Sequence, residues 1–291
     1  MWELAENKFR WKIQALSALL TNAHISGFFT GEIFKGATKF VCVPGLNCYS
    51  CPGAVGSCPI GSLQAVIGSS RFRFSYYVVG ILLLFGVLLG RLVCGFLCPF
   101  GWFQELLHKL PTRKFSTKRL RPLRCLKYVI LVVFVVVLPM TAVNELGMGD
   151  PWFCKWLCLV GVLEGALPLA AANGSIRSAL GALFTWKSCI LIGVVTLAVF
   201  FYRPFCKWLC PLGAVYSIFN GVSLYRYSVD KDKCTSCGEC ARACKMDVEV
   251  CKSPNHAECI RCGDCLRSCP HGAIRVNTPF RKGESQHEKA V

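Results

Sequence analysis

Cysteine is the residue type that can do chemistry in this sequence. Cys234, Cys237, Cys240 and Cys244 follow a C-x2-C-x2-C-x3-C spacing, and Cys259, Cys262, Cys265 and Cys269 repeat it. Three thiolates at three-residue intervals can wrap one [4Fe-4S] cubane, while the fourth, four residues after the third, points to the neighbouring cluster. Crossing the ligands assigns Cys234, Cys237, Cys240 and Cys269 to one cluster and Cys259, Cys262, Cys265 and Cys244 to the other. Zinc fits this spacing poorly, because four-cysteine zinc sites usually pair two C-x2-C units. Disulfides fit a domain on the reducing side of a membrane less well still. Cys251, left over between the two runs, reads as a small packing residue.

A second repeat lies upstream. Cys94 and Cys98 stand in CGFLCPFG, Cys206 and Cys210 in CKWLCPLG, and each pair follows an arginine, Arg91 or Arg203. A C-x3-C-P pair at a helix end sets two thiols one turn apart on one face, and the proline stops or kinks the segment. Four such thiolates can converge on one further [4Fe-4S] cluster, with the arginines offsetting its charge. A third group is less regular: Cys42, Cys48, Cys51 and Cys58 in CVPGLNCYSCPGAVGSCP, then Cys154 and Cys158 in CKWLCLVG. Its glycines and prolines suit a loop wrapped tightly round a cluster. The simplest ligand set takes Cys48, Cys51 or Cys58 with Cys154 and Cys158, against the alternative of disulfides on an oxidising side. Cys125 and Cys189 lack partners at ligand spacing.

These thiols need a scaffold, and the composition says which kind. The chain has 291 residues, of which 54% are hydrophobic and 17% charged, with 21 cysteines and a formal net charge of +17. That combination excludes an ordinary soluble enzyme. Four runs, Ile13 to Gly31, Phe74 to Gly90, Tyr128 to Val143 and Ser188 to Tyr202, contain no charged residue and are expected to span a membrane with residues borrowed from their flanks. For the first run an amphipathic surface helix is the alternative. The stretch Leu157 to Ile176, with Glu164 and Pro168, fits a re-entrant hairpin packed against protein. The loop holding Lys109, Arg113, Lys114, Lys118, Arg119, Arg121, Arg124 and Lys127 belongs on the cytoplasmic side. Alternation then puts both termini and the C-terminal cysteines inside, and the Cys42 to Cys58 loop with Cys154 and Cys158 toward the other face. Lipid and topology account for the positive charge without a nucleic-acid partner.

Two resemblances follow from these motifs. CTSCGECARAC and CIRCGDCLRSCP, within about Val229 to Val276, closely resemble the bacterial two-cluster ferredoxins, which implies two [4Fe-4S] clusters carrying one electron each. Lys245 stands where that pattern has a proline after the first run. From about Lys8 to Asn277 the arrangement resembles the membrane-bound polyferredoxin family related to the quinol-oxidising membrane subunit of periplasmic nitrate reductase systems. The shared signature is Cys94-x3-Cys98-Pro99 and Cys206-x3-Cys210-Pro211 plus the ferredoxin runs, and the CVPGLNCYSCPGAVGSCP loop departs from that subunit. The fold expected is an α-helical membrane protein with about four transmembrane helices in a duplicated arrangement with cysteine loops, plus a C-terminal α+β two-cluster ferredoxin-like domain. Residues 1–225 form the membrane domain, 226–280 the cytoplasmic ferredoxin-like domain and 281–291 a disordered tail.

The function expected is electron relay between a cytoplasmic or quinone-pool donor and a partner redox protein, in a bacterial or archaeal cytoplasmic membrane. Two [4Fe-4S] clusters sit in the C-terminal domain, one or two more in the membrane domain, and quinone or quinol is a candidate small-molecule partner. No dinucleotide fingerprint, P-loop or nucleophile elbow is present, so substrate chemistry would fall to partners. The alternative is an iron-sulfur redox sensor, or an assembly or regulatory factor for a membrane or periplasmic metalloenzyme.

Overall fold

The computed structural model describes residues 8–69, 75–145 and 148–278. Two helices are long and apolar enough to cross a membrane, Lys118–Thr141 and Ala182–Phe200. At 1.5 Å per residue they measure about 36 and 28 Å. Val129, Val132, Val137, Trp186 and Ile192 are exposed on their outer faces, as side chains meeting lipid would be. The first of these helices changes character along its length. It begins as a 3-10 segment containing Pro122, and its middle, Leu131–Val137, is π-helical just ahead of Pro139. Proline has no N–H to close the ladder, and the widened turn falls where that bond is missing. The same pairing recurs in the shorter apolar helix Gly161–Ala172, whose π-helical Gly161–Ala166 precedes Pro168.

The other apolar runs make shorter elements. The run Ile13 to Gly31 does not form one helix: helix α1, Lys8–Thr21, stops there, and Gly27–Thr30 forms a separate turn. The physical reason is visible in the inward face of α1, where the buried Arg10 donates to Glu105 Oε2 at 2.9 Å and the buried Gln14 donates to the Gly95 carbonyl at 2.9 Å. Those polar side chains bind one face of α1 to protein, while Phe9, Leu16, Leu19 and Leu20 stay exposed on the other. Phe74 to Gly90 yields a 14-residue helix, Tyr76–Leu89. Leu157 to Ile176 yields Gly161–Ala172, a break at Asn173 and a largely exposed turn at Gly174–Ser178.

Between these elements lie the short helices that carry the thiols: α2 (Pro59–Gly68), α3 (Leu92–Phe96), α4 (Pro99–His108), α5 (Trp152–Trp156), α6 (Pro204–Trp208) and α7 (Pro211–Phe219). The C-terminal domain is a two-stranded antiparallel sheet, β1 (Arg226–Val229) with β2 (Ile274–Asn277), pairing Tyr227 with Val276. It is completed by two helical turns, Glu239–Ala243 and Asp264–Arg267. The two cysteine runs share one backbone: Ser236 and Arg261 take positive φ, as do Gly238 and Gly263. The tail 281–291 lies outside the described residues.

Candidate iron-sulfur sites

All 21 cysteines are unbridged, and the structure gathers most of them into four groups. In the C-terminal domain, Cys234, Cys237, Cys240 and Cys269 line one cavity. Cys259 and Cys265 share an electrostatic environment with Cys244, and Cys262 with Cys259. The fourth cysteine of each run thus sits with the other run, the crossing that two adjacent cubanes require. Cys251 departs from the packing role expected of it. It is only partly buried, lines the first cavity, and its Sγ lies 3.1 Å from Cys240 Sγ. Nothing in the spacing of the two runs points to a fifth thiol at that site.

In the membrane domain, Cys94, Cys98, Cys206 and Cys210 are all buried and mutually within electrostatic reach. The C-x3-C-P spacing builds this group twice over. Cys98 and Cys210 cap α4 and α7 from the residue before each proline, accepting the N–H of Gly101 at 3.4 Å and of Gly213 at 3.3 Å. Gln104, six residues past Cys98, donates to Cys206 Sγ at 3.2 Å and accepts the Phe205 N–H at 3.1 Å. The arginines exchange places. Arg91, ahead of the first pair, donates to the Cys206 carbonyl at 3.1 Å, and Arg203, ahead of the second, donates to the Cys94 carbonyl at 2.5 Å. Arg203 holds a left-handed backbone, φ 50°, and pairs with Glu105 Oε1 at 2.8 Å, the same oxygen that accepts from Tyr202, while Oε2 accepts from Arg10. Buried N–H groups aimed at sulfur and two buried guanidiniums suit an anionic cluster. Among the described residues no three His, Cys, Asp or Glu side chains converge as a single metal ion would need.

Of the remaining eight thiols, the structure brings together Cys48, Cys58, Cys154 and Cys158. Cys51 also lies within electrostatic reach of Cys48, but its Sγ donates to Asn22 Oδ1 at 3.5 Å, and Cys42 Sγ faces Ser57 Oγ at 3.5 Å. Glu164 accepts the Cys48 N–H at 2.9 Å, a local pairing. Cys125 and Cys189 are exposed. The sequence sends the loop of Cys42 to Cys58 to the face opposite Cys98, but the structure corrects the separation. The Tyr216 hydroxyl donates to the Pro44 carbonyl at 2.9 Å, a Cβ on Gly45 would lie 2.9 Å from Cys98 Cα, and the Leu46 N–H bonds Cys98. Only two residues separate Leu46 from Cys48, at most about 7 Å of extended chain, far less than the roughly 30 Å of a bilayer core.

The C-terminal domain is fastened to the membrane domain at the same place. Glu258, beside Cys259, is 2% exposed and accepts from Arg91 Nη1 at 2.7 Å and Lys127 Nζ at 2.5 Å. Burial alone would raise its pKa, but Arg91 and Lys127 prevail and hold the carboxyl at about 2. Asn220 Nδ2 donates to the Cys259 carbonyl at 2.9 Å, and Arg261 donates to the Leu89 carbonyl at 2.8 Å. Gly95 admits the Ile260 carbonyl, since any Cβ there would overlap that oxygen. One side chain, Arg91, therefore joins Cys206 of one thiol group to the segment that carries Cys259 of another.

Family models described as 4Fe-4S binding domains match residues 74–118 and 184–226, which hold Cys94, Cys98, Cys206 and Cys210, and residues 253–275, which hold the second ferredoxin run. An uncharacterized protein of Methanocaldococcus jannaschii, MJ0749, is 28% identical over 68% of this chain and 69% of its own length. The putative electron transport protein YccM of Escherichia coli K12 is 27% identical over 66% of this chain and 50% of its own. For the ferredoxin-type protein NapH of Haemophilus influenzae the figures are 27%, 61% and 55%. The chain thus spans about half the length of the latter two. No solved structure matches.

Proposed function

We propose that this chain, a membrane-linked iron-sulfur protein of the ferredoxin-type 4Fe-4S family, relays single electrons between a redox partner at the ferredoxin-like domain and a partner or quinone at the membrane domain. Bound at the thiols, a [4Fe-4S] cluster supplies reversible one-electron transfer with no bond made or broken in a substrate. Cys234, Cys237, Cys240 and Cys269 would hold the distal cluster, Cys259, Cys262, Cys265 and Cys244 the proximal one, and Cys94, Cys98, Cys206 and Cys210 a third within the membrane domain. Cys237 is exposed, which favours entry or exit of electrons at the distal end. Arg91 carries the reading: it donates at once to the Cys206 carbonyl and to Glu258, one residue from Cys259, and so fixes the spacing between the second and third sites. The basic residues Lys109 to Lys127 favour the cytoplasmic side for the start of the Lys118–Thr141 helix, which with Ala182–Phe200 crosses the membrane.

Anaerobic purification with iron, sulfide and EPR analysis tests this. The reading expects at least about twelve irons, four for each of three sites, with about four lost in Cys94→Ser/Cys206→Ser and rapid reduction by a low-potential donor or quinol. Zinc in place of iron, or unchanged iron and spectra in that variant, refutes it.

A further inference from the structure

The string Cys-Pro-x-Gly-x-x-Gln occurs twice, at Cys58 to Gln64 and at Cys98 to Gln104, and Cys-Lys-Trp-Leu-Cys occurs twice, at Cys154 and at Cys206. The structure assembles each first string with one copy of the second. Gln104 donates to Cys206 Sγ at 3.2 Å and accepts the Phe205 N–H at 3.1 Å; Gln64 donates to Cys154 Sγ at 3.2 Å and accepts the Phe153 N–H at 2.9 Å. A cation binds the same carbonyl in both halves, with Arg91 on Cys206 at 3.1 Å and Lys187 Nζ on Cys154 at 3.0 Å. Two glycines lie beside the sulfurs of the Cys48 group at ordinary contact distance. A Cβ on Gly61 would meet Cys154 Sγ at 3.8 Å, and one on Gly161 would meet Cys48 Sγ at 3.8 Å.

The two assemblies differ in one thiol. Cys94 precedes Cys98 by four residues, but Ala54 holds the corresponding place before Cys58. Cys48 fills the gap from the loop, anchored through its N–H to the buried end of Glu164 at 2.9 Å. Cys51 and Cys42 are the alternatives for that place, and both sulfurs are turned to other partners, Asn22 and Ser57.

We infer that Cys48, Cys58, Cys154 and Cys158 form a second cluster site in the membrane domain, a duplicate of the Cys94, Cys98, Cys206 and Cys210 site that takes a [4Fe-4S] cluster, with Gln64 as its positioning residue. The inference rests on the iron-sulfur reading above and extends it to a stretch outside the 4Fe-4S model matches at residues 74–118, 184–226 and 253–275. Gln64 orients Cys154 through its N–H, and the same N–H stabilises negative charge on the sulfur, which favours the reduced cluster. Lys187 adds positive charge at the same thiol group. The site lies alongside its duplicate, because Leu46 bonds Cys98 and Cys48 follows two residues later.

The test uses the full chain purified without oxygen, read by iron, acid-labile sulfide and EPR-monitored redox titration. Wild type carries about sixteen irons, and Cys58→Ser/Cys154→Ser about twelve, with the signals of the other three sites intact. Cys48→Ser loses the same four irons, whereas Cys51→Ser loses none. Gln64→Met keeps its iron and lowers the potential of one signal alone, a readout that does not depend on the serine variants folding. Wild type with about twelve irons, all accounted for by the ferredoxin and Cys94/Cys206 cysteines, overturns this site and leaves the relay standing; wild type with no iron overturns the relay itself. Loss of four irons in Cys51→Ser but not in Cys48→Ser overturns the ligand set. A Gln64→Met titration identical to wild type at every signal removes Gln64 from its role.

Discussion

Replacing Glu258 by glutamine tests how the ferredoxin-like domain is held against the membrane domain. Glu258 is 2% exposed, and its two cationic partners, Arg91 and Lys127, are both 0% exposed. Its carboxylate is the shared counter-ion of both, at 2.7 and 2.5 Å. Glutamine keeps the shape but leaves two buried like charges facing each other. Breaking a buried pair by removing one partner costs about 3–5 kcal/mol, a factor of roughly 10² to several 10³ in the population of the opened state. Hydrogen exchange on the full-length, cluster-loaded protein should show that loss of protection across 226–229 and 255–262, with iron content unchanged. Lys127→Met is the control. It leaves Arg91 and Glu258 as a one-to-one pair, so it should cost much less than E258Q although it too removes one hydrogen bond. Equal effects of the two variants, or none from E258Q, would refute charge balance as the basis of docking.

Gly95→Ala attacks the same junction by bulk, since its Cβ overlaps the Ile260 carbonyl oxygen; about 1–3 kcal/mol of strain is expected, read as faster exchange at 259–262, and wild-type exchange would show that the loop yields freely. Asp247 supplies a pH dependence. Burial would raise its carboxyl, but the Thr117 and Ser116 hydroxyls and Lys207 outweigh burial and lower it below the ordinary value of 3.8. Its stabilisation is therefore complete above that value and is lost as pH falls through the lower folded-state value. Limited proteolysis around 115–119 should accelerate only in that acid range, and Asp247→Asn should be equally susceptible from pH 6 downward; an unchanged acid response in Asp247→Asn would count against it.

Cysteine spacing made the thiol groups legible, because ligand geometry is local: C-x2-C-x2-C-x3-C and C-x3-C-P place their sulfurs without help from the rest of the fold. Which motifs meet is not local: Cys94 and Cys98 join Cys206 and Cys210 through contacts between distant segments, such as Gln104 with Cys206, and only the repetition of the motif points to that pairing. Hydropathy was a poorer guide to the scaffold. Ile13 to Gly31 is free of charge, yet Lys8, Arg10 and Lys12 lie just before it, and the buried bond from Arg10 to Glu105 turns the helix into a protein-packed element. The glutamines stand in the sequence in the repeated Cys-Pro-x-Gly-x-x-Gln string, but an amide is not a ligand, and the spacing alone does not say which distant sulfur it bonds. Cys251 and the approach of Leu46 to Cys98 had no local signal at all, since both depend on how distant segments pack.

The order of sites along the proposed relay follows from which side chains are shared. Distal and proximal ferredoxin sites exchange their fourth cysteines. The proximal site and the Cys94 group share Arg91, through Glu258 and the Cys206 carbonyl. The Cys94 group and the Cys48 group share the loop from Gly45 to Cys48, one end of it packed on Cys98 and the other carrying a thiol. Each junction is made by a short covalent or buried polar link, so the spacing between neighbours is set by the fold and not by the mobility of a linker. The charges differ between the two membrane-domain groups. Arg91 and Arg203 flank one, while Lys187 and Glu164 flank the other. A reduced cluster is more negative than an oxidised one, so two buried arginines favour an electron on the Cys94 group more strongly than the Lys187 and Glu164 pair favours it on the Cys48 group. On this balance the Cys94 group is expected to titrate at the higher potential of the two, which an EPR-monitored redox titration of wild type against Cys58→Ser/Cys154→Ser reads; the reverse order would refute the charge argument.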